Sequence, residues 1–406
     1  MENMKRLIAL ALFLLNYSLN SQILSQWRGP ERDGHYPQEN LLASWPSGGP
    51  QLLWKGKELG EGYSSPAVTA DAVYVTGLVK KEGFLFAFNH AGKLLWKTSY
   101  GPEWDAGHPG ARTTPTIVAD RIYLVSGMGI VVCMTTDGKI QWQVDMQQRF
   151  SGRNLEWGIT ESPLIDGAHL FCTPGGAGTT MAALDRLTGK TIWQTTGNGQ
   201  LSAYCSPRMM THNGRRIILT MTEKSLIGID ADNGALLWQH PHVTRYDINP
   251  NTPLYADNMI YSISGYGTGG QMFQLSADGK SIKKLWENKA PDSQFGGAVL
   301  VNGSLYASGH ENRGWACLDW KSGATQWTSR EFGGKGAIIF SDGKLYLYSE
   351  RGDVLLANPN PKQFETISSY TIAEGTGPHW AHPVIHNGRL YIRHGDTLFA
   401  YNIERK

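Results

Sequence analysis

The residues equipped for chemistry in this 406-residue chain do not form one compact motif. They come in small groups: His108 with Arg112; Glu156, Trp157 and Glu161; Arg245 with Asp247; His310, Glu311 and Arg313; Lys335; and His379, Trp380 and His382. Carboxylates of this kind can serve as general bases or hold a hard cation through oxygen. Arginine and lysine can hold an anion, arginine through a fixed fork of N–H groups. Tryptophan offers a flat apolar face to a ring. His379 with His382, or His310 with Glu311, has the residue types of a metal site. Three-residue spacing outside a helix does not bring two imidazoles onto one ion, so no metal is assigned. The glycine run SGYGTGG at 264–270 mimics a phosphate loop, but no helical pattern follows it, which argues against a dinucleotide. Residue order alone picks out no Ser-His-Asp set and no paired carboxylates.

What must position these groups is a repeat. Asp or Asn, usually beside Gly, recurs between two β-rich runs at Asp71, Asp120, Asp166, Asn213, Asp257, Asn302, Asp342 and Asn387, at intervals of 40 to 49 residues. Such residues tolerate the positive φ of two-residue hairpins, so each marks an antiparallel pair. The run before the turn often opens on a Ser/Thr-Pro step or a relative of it, as in SSPAV, TTPTI, ESPLI, CSPRM and NTPLY. A third run and a second turn follow, then a fourth strand carrying Trp96, Trp142, Trp193, Trp238, Trp286 or Trp327. Four short strands per module, with no long helical period, predict an all-β fold, an eight-bladed β-propeller of four-stranded antiparallel blades. The repeated tryptophan is expected to wedge between adjacent sheets rather than to bind a ligand.

There are eight first turns, but the last module, AHPVIHNGRLYIRHGDTLFAYNIERK, stops after three strands. PQLLWKGKELG, at 50–60, is a fourth strand with nothing before it. Pairing the two would shut the ring and remove its open sheet edges. The seventh module has no tryptophan in NPNPKQFETISSYTI, so its outer strand is expected to be the least regular.

Composition narrows the function classes. The chain is 41% hydrophobic and 18% charged, enough for a large core. A net charge of +2 without clustered basic residues argues against nucleic-acid binding. Lys5 and Arg6, the apolar run 7–15 and a polar exit read as a secretory signal over 1–22, because a membrane span needs about 20 apolar residues. A lead segment, 23–49, rich in turn formers, is expected to pack across a face of the disc, with Trp27 and Trp45 as packing anchors. The propeller itself would occupy 50–406. Cys133, Cys172, Cys205 and Cys317 are widely spaced and read as buried free thiols.

At AALDRLTGKTIW (182–193) the chain resembles the tryptophan-docking repeat of quinoprotein-type propellers, with partial copies in AFNHAGKLLW and GIDADNGALLW. WRGPERDG, WGITESPLIDG, CTPGG, CLDWKSG and WAHPVIHNGRLYIR resemble a group of exported bacterial proteins with pyrroloquinoline-quinone (PQQ)-like propeller repeats. The BamB family of outer-membrane assembly lipoproteins is similar in size and blade number, although no lipid-anchor cysteine follows the apolar run here. The resemblance implies a functional mouth built from loops entering the innermost strands and loops between second and third strands. That rim collects the groups named above together with Glu61, Tyr63, Tyr204, Tyr246, Asp292, Gln294, Glu350 and Arg351.

A quinone dehydrogenase would need PQQ with calcium at this mouth and a carboxylate base. The absence of an adjacent cysteine pair and of a haem-attachment motif tilts the expectation toward a binding or scaffold protein. An oxidoreductase and an outer-membrane assembly factor stand as alternatives. The partner expected is a small molecule, a carbohydrate or a protein, met by a periplasmic or secreted monomer.

Overall fold

The computed structural model describes residues 23–405, so the expected signal, 1–22, lies outside the described residues. The strands of the described residues form eight antiparallel sheets. In blade 3, for example, Leu164–Asp166, His169–Cys172, Thr179–Asp185 and Thr191–Thr196 follow one another from the channel outward. Inner strands are covered on both faces by neighbouring blades, so Met259–Ser264 and Ser225–Asp230 are buried at every position. Outer strands keep one face toward water, as in Thr191–Thr196. The hairpin turns carry the expected conformation: Asn302 and Gly303 both have positive φ, 49° and 78°.

The ring closes as the strand count requires. Gln51–Gly56 pairs antiparallel with Thr397–Asn402, from Gln51 opposite Asn402 to Gly56 opposite Leu398. The indole N–H groups of Trp54, Trp96, Trp142, Trp193, Trp286 and Trp327 donate to His90, Thr136, Arg186, Ala231, Lys321 and Asn360 at 2.8 to 3.2 Å. Each acceptor is a carbonyl in the outer turn of the next blade, so these rings latch successive sheets together. Trp238 departs from this, with its N–H unpartnered and its ring packed where a Cβ on Gly228 would stand.

Blade 7 corrects the expectation of an irregular outer strand. Glu365–Thr371 pairs along its length with Asp353–Asn358, with one bulge like those of its neighbours. Ser368 lies opposite Leu356, the place tryptophan holds elsewhere. The missing ring comes from the lead segment. The Trp45 N–H of the backbone donates to Ser368 Oγ at 2.7 Å, and its indole packs on Tyr346 and Tyr370 at 5.8 and 5.9 Å. Tyr346 is the counterpart of Tyr261 and Tyr306, which face Trp286 and Trp327 in blades 5 and 6.

The lead segment as a whole does more than cross a face. Ile23–Ser25 adds a fifth strand to the channel side of blade 2, against Thr116–Val118. The chain then puts two fully buried arginines among the inner strands. Arg28 donates to the carbonyls of Gly296, Ala298 and Ile338 and to His382 Nδ1. Arg32 donates to the carbonyls of Ser162, Pro163 and Pro207. Gly297 makes room for this, since a Cβ there would lie 2.4 Å from the Arg28 guanidinium. From His35 onward the segment runs outward along blade 7, bridging Phe340 and capping Asp342, to reach the outer strand of blade 8.

Candidate functional site

Above the arginine plug, at the strand-entry side of the ring, the mouth encloses a cavity of about 240 Å³. Its walls come from the loops that enter the blades: Tyr63, His108, Arg112, Trp157, Thr160, Tyr204, Ser206, Ile248, Pro250, Gln294, Phe295, Trp380 and His382, with Tyr266 from a loop between second and third strands. Trp27 of the lead segment completes the lining. Its N–H donates to Thr252 Oγ1 at 3.3 Å and its ring meets His382 edge-on at 4.6 Å.

Aromatic rings dominate. Trp380 stands 4.9 Å from Tyr63, 5.4 Å from His108 and 6.0 Å from Phe295, while Trp157 lies 6.3 Å from Tyr204. His108, Tyr204 and Tyr266 hold left-handed φ values of 52°, 65° and 59°, which bulky side chains rarely adopt. Backbone held in that region by its surroundings clusters at binding sites.

The polar groups are few and held in place. Arg112 donates to the carbonyls of Trp157 and His108, and its guanidinium lies over the Tyr63 ring at 5.8 Å. Burial lowers its pKa, against the pull of Tyr63 and Glu103. His382 accepts from Arg28 at Nδ1 and donates from Nε2 to Phe295 at 2.8 Å, so one neutral tautomer serves both bonds. Burial, then Arg28, pushes its pKa well below the ordinary histidine value. The Gln294 amide donates to the Tyr266 hydroxyl and leaves its oxygen buried without a partner.

Of the sequence-derived candidates, the cavity brings together His108, Arg112, Trp157, Trp380 and His382, with Tyr63, Tyr204 and Gln294 of the wider rim. A second cluster stands beside it. Glu350 accepts from Lys335 Nζ at 2.8 Å and from Trp380 Nε1 at 2.7 Å, and Lys335 also sits 5.5 Å from the Phe295 ring. His310 accepts from the Tyr266 backbone N–H, and Asp292 takes the N–H groups of Gly267, His310 and Glu311. Glu156, Arg245, Glu311 and Arg313 are exposed outside the cavity lining, and Asp247 faces Lys224 at 3.9 Å.

His379 stacks on His394 at 3.5 Å behind the rim, its pKa lowered to about 4 by burial and then by His394. Glu161 is buried inside the sheets. Burial raises its pKa to about 8, against Thr173 and Arg32, and neither of its oxygens meets a donor at hydrogen-bond geometry.

Sequence reasoning passed over Trp27, Thr160, Ser206, Ile248, Pro250, Tyr266 and Phe295. Tyr266 was within reach, since SGYGTGG lies between a second and a third strand. Trp27 carries no such signal, because it lies outside the repeat.

The donor set does not fit a calcium-bound quinone. The cavity lining holds no carboxylate, and both oxygens of nearby Asp292 are engaged by backbone N–H groups. Among the described residues no cluster of three His, Cys, Asp or Glu could hold a metal ion. The four cysteines are buried and free. Among the described residues no helix is long and apolar enough to cross a membrane.

The family model described as "Outer membrane protein assembly factor BamB" matches residues 81–300 and 290–364. No curated protein shows significant sequence similarity to the chain. Among solved structures it is similar to BamB from Moraxella catarrhalis at 14% identity and a TM-score of 0.61, over 87% of this chain and 99% of that one. Quinohemoprotein alcohol dehydrogenase from Comamonas testosteroni matches at 12% identity and a TM-score of 0.66, over 96% and 82%. A europium-containing methanol dehydrogenase matches at 11% identity and 0.65, over 93% and 91%. At these identities the likeness is one of fold.

Proposed function

We propose that this chain, which belongs to the PQQ-like propeller family whose model is described as outer membrane protein assembly factor BamB, is an exported binding protein that recognises its ligand at the propeller mouth. The observation that carries this reading is a preformed cavity lined by seven aromatic side chains: Trp27, Tyr63, Trp157, Tyr204, Tyr266, Phe295 and Trp380. Such concave, largely apolar sites with a few fixed polar groups are where small ligands bind. The carboxylate-free lining disfavours the quinone-dehydrogenase reading in particular, because it offers no carboxylate base for a substrate hydroxyl proton. Export rests on the charged and apolar pattern of residues 5–15.

A thermal-shift screen of sugars, organic acids and aromatic compounds tests this. A ligand at a hundred times its Kd should stabilise the folded protein by about 2.7 kcal/mol. That gain should vanish in Trp157→Ala. A stabilising compound whose effect survives the substitution would place the ligand elsewhere. Titration with PQQ and calcium should give no heat of binding, and tight binding there would restore the dehydrogenase reading.

A second reading, a scaffold for other proteins, is favoured by the apolar side chains on the outer strands. Leu94, Leu95, Leu52 and Leu53 are exposed along the edges of blades 1 and 8. It predicts that substitutions there, and not at Trp157, abolish partner capture.

A further inference from the structure

Resting on the reading of the mouth as a binding site, we propose that its ligand is an acidic sugar, a pyranose ring that carries a carboxylate as uronic acids do. Arg112 is the one lysine or arginine in the cavity lining, and no carboxylate lines the cavity to neutralise it. Its guanidinium is fixed before any ligand arrives, by the carbonyls of Trp157 and His108 and by the Tyr63 face. A guanidinium has five N–H donors, and those two bonds leave some free for an incoming carboxylate.

The field behind it has the same sign. Arg28 and Arg393 are buried, and their bonds run to backbone carbonyls, to His382 and to the Ser64 hydroxyl. Neither forms an ion pair with a carboxylate among the described residues. Several carboxylates oppose them: Asp33 acts on Arg28, Asp396 on Arg393 and Glu103 on Arg112, while Asp292 and the Lys335-paired Glu350 stand beside the cavity. Glu103 is held by Tyr100 and the N–H groups of Trp104 and Gly127, and Asp292 is held by three backbone N–H groups. Burial raises the pKa of Glu103, against the bonds from Trp104, Tyr100 and Gly127. In the lining itself Arg112 carries the one fixed charge, and that favours an anion.

The sugar half of the inference comes from the neutral polar groups set among the rings, since Thr160, Ser206 and Gln294 all line the cavity. Sugar hydroxyls both donate and accept, so they match such groups in either sense. A flat aromatic acid would satisfy Arg112 and leave these groups unused. A neutral sugar would do the reverse. Trp157 and Trp380 then supply the faces against which the apolar side of a pyranose packs.

Quenching of tryptophan fluorescence on titration with D-glucuronate, D-galacturonate and trigalacturonate, against glucose and galactose, tests the inference. The uronates should bind at least about tenfold more tightly than their neutral parents, the worth of a charge-assisted hydrogen bond. The preference should shrink as salt is raised. Arg112→Gln should bring acid and neutral sugars to the same affinity, and Arg112→Lys should restore part of the preference. Equal binding of both kinds of sugar to the wild type would overturn the acid and leave the mouth as the binding site. Binding by neither would overturn the sugar class itself, and the broader compound screen would then decide separately whether the mouth binds anything.

Discussion

Glu161 illustrates what a single residue's surroundings can impose. Its carboxyl is buried with no hydrogen-bond donor at bonding geometry, which is costly for a charged group and tolerable for a neutral one. Its folded pKa, raised to about 8 by burial, lies above its unfolded value. The native state therefore holds a proton that the unfolded chain has released. Its favourable share of stability is fully present below the unfolded pKa, declines as pH rises, and is gone above about 8. Urea unfolding across that window should show wild type losing on the order of 3 kcal/mol relative to Glu161→Gln. Parallel pH profiles of the two proteins would refute this.

The sequence placed Glu161 at the mouth with Glu156 and Trp157, because ESPLI opens an innermost strand. Which way a side chain points at a strand entrance depends on a phase of one residue, and no periodicity reaches across the loop to set it. Arg112, Trp157 and Trp380 were legible because they sit nearer the middle of their loops.

At the scale of elements, the blades were legible and the lead segment was not. Repetition made each tryptophan and each turn visible seven or eight times over, so isolated exceptions such as Asp71 and Asp120 did not obscure the pattern. Trp45 has no sequence spacing that ties it to blade 7, more than three hundred residues onward. Its role emerges only where Ser368 leaves a tryptophan's place open. Trp45→Ala should cost about 3–5 kcal/mol, the usual range for a buried tryptophan, despite lying outside the repeat.

The arginines carry a stronger version of the same point. Arg32→Met would leave the carbonyls of Ser162, Pro163 and Pro207 buried without their donor and should cost more than about 3 kcal/mol. Deleting residues 23–34 should be more damaging still, because it also strips Trp27 from the cavity. Chemical denaturation of each variant checks both values.

For the whole molecule, closure depends on a short strand and its tryptophan. Removing Gln51–Gly56 takes the outer strand from blade 8 and the latch from Trp54 to His90 between blades 8 and 1. The melting temperature should fall by about 10 °C or more, and an unchanged transition would refute closure as a source of stability. This was readable from counting alone, since a ring with one strand too few at its end and one too many at its start has one economical solution. The identity of the ligand was not readable in the same way, because a fold of this kind hosts unrelated functions and its loops obey no period.

That the mouth is the working face is tested most directly by hydrogen–deuterium exchange with the compound that most raises the melting temperature. Slower exchange is expected in the loops around 104–112, 157–160, 204–206, 294–295 and 380–382, with the outer strands unchanged. Protection confined to the outer strands around 94–97 and 140–143, with the mouth loops unaltered, would contradict it.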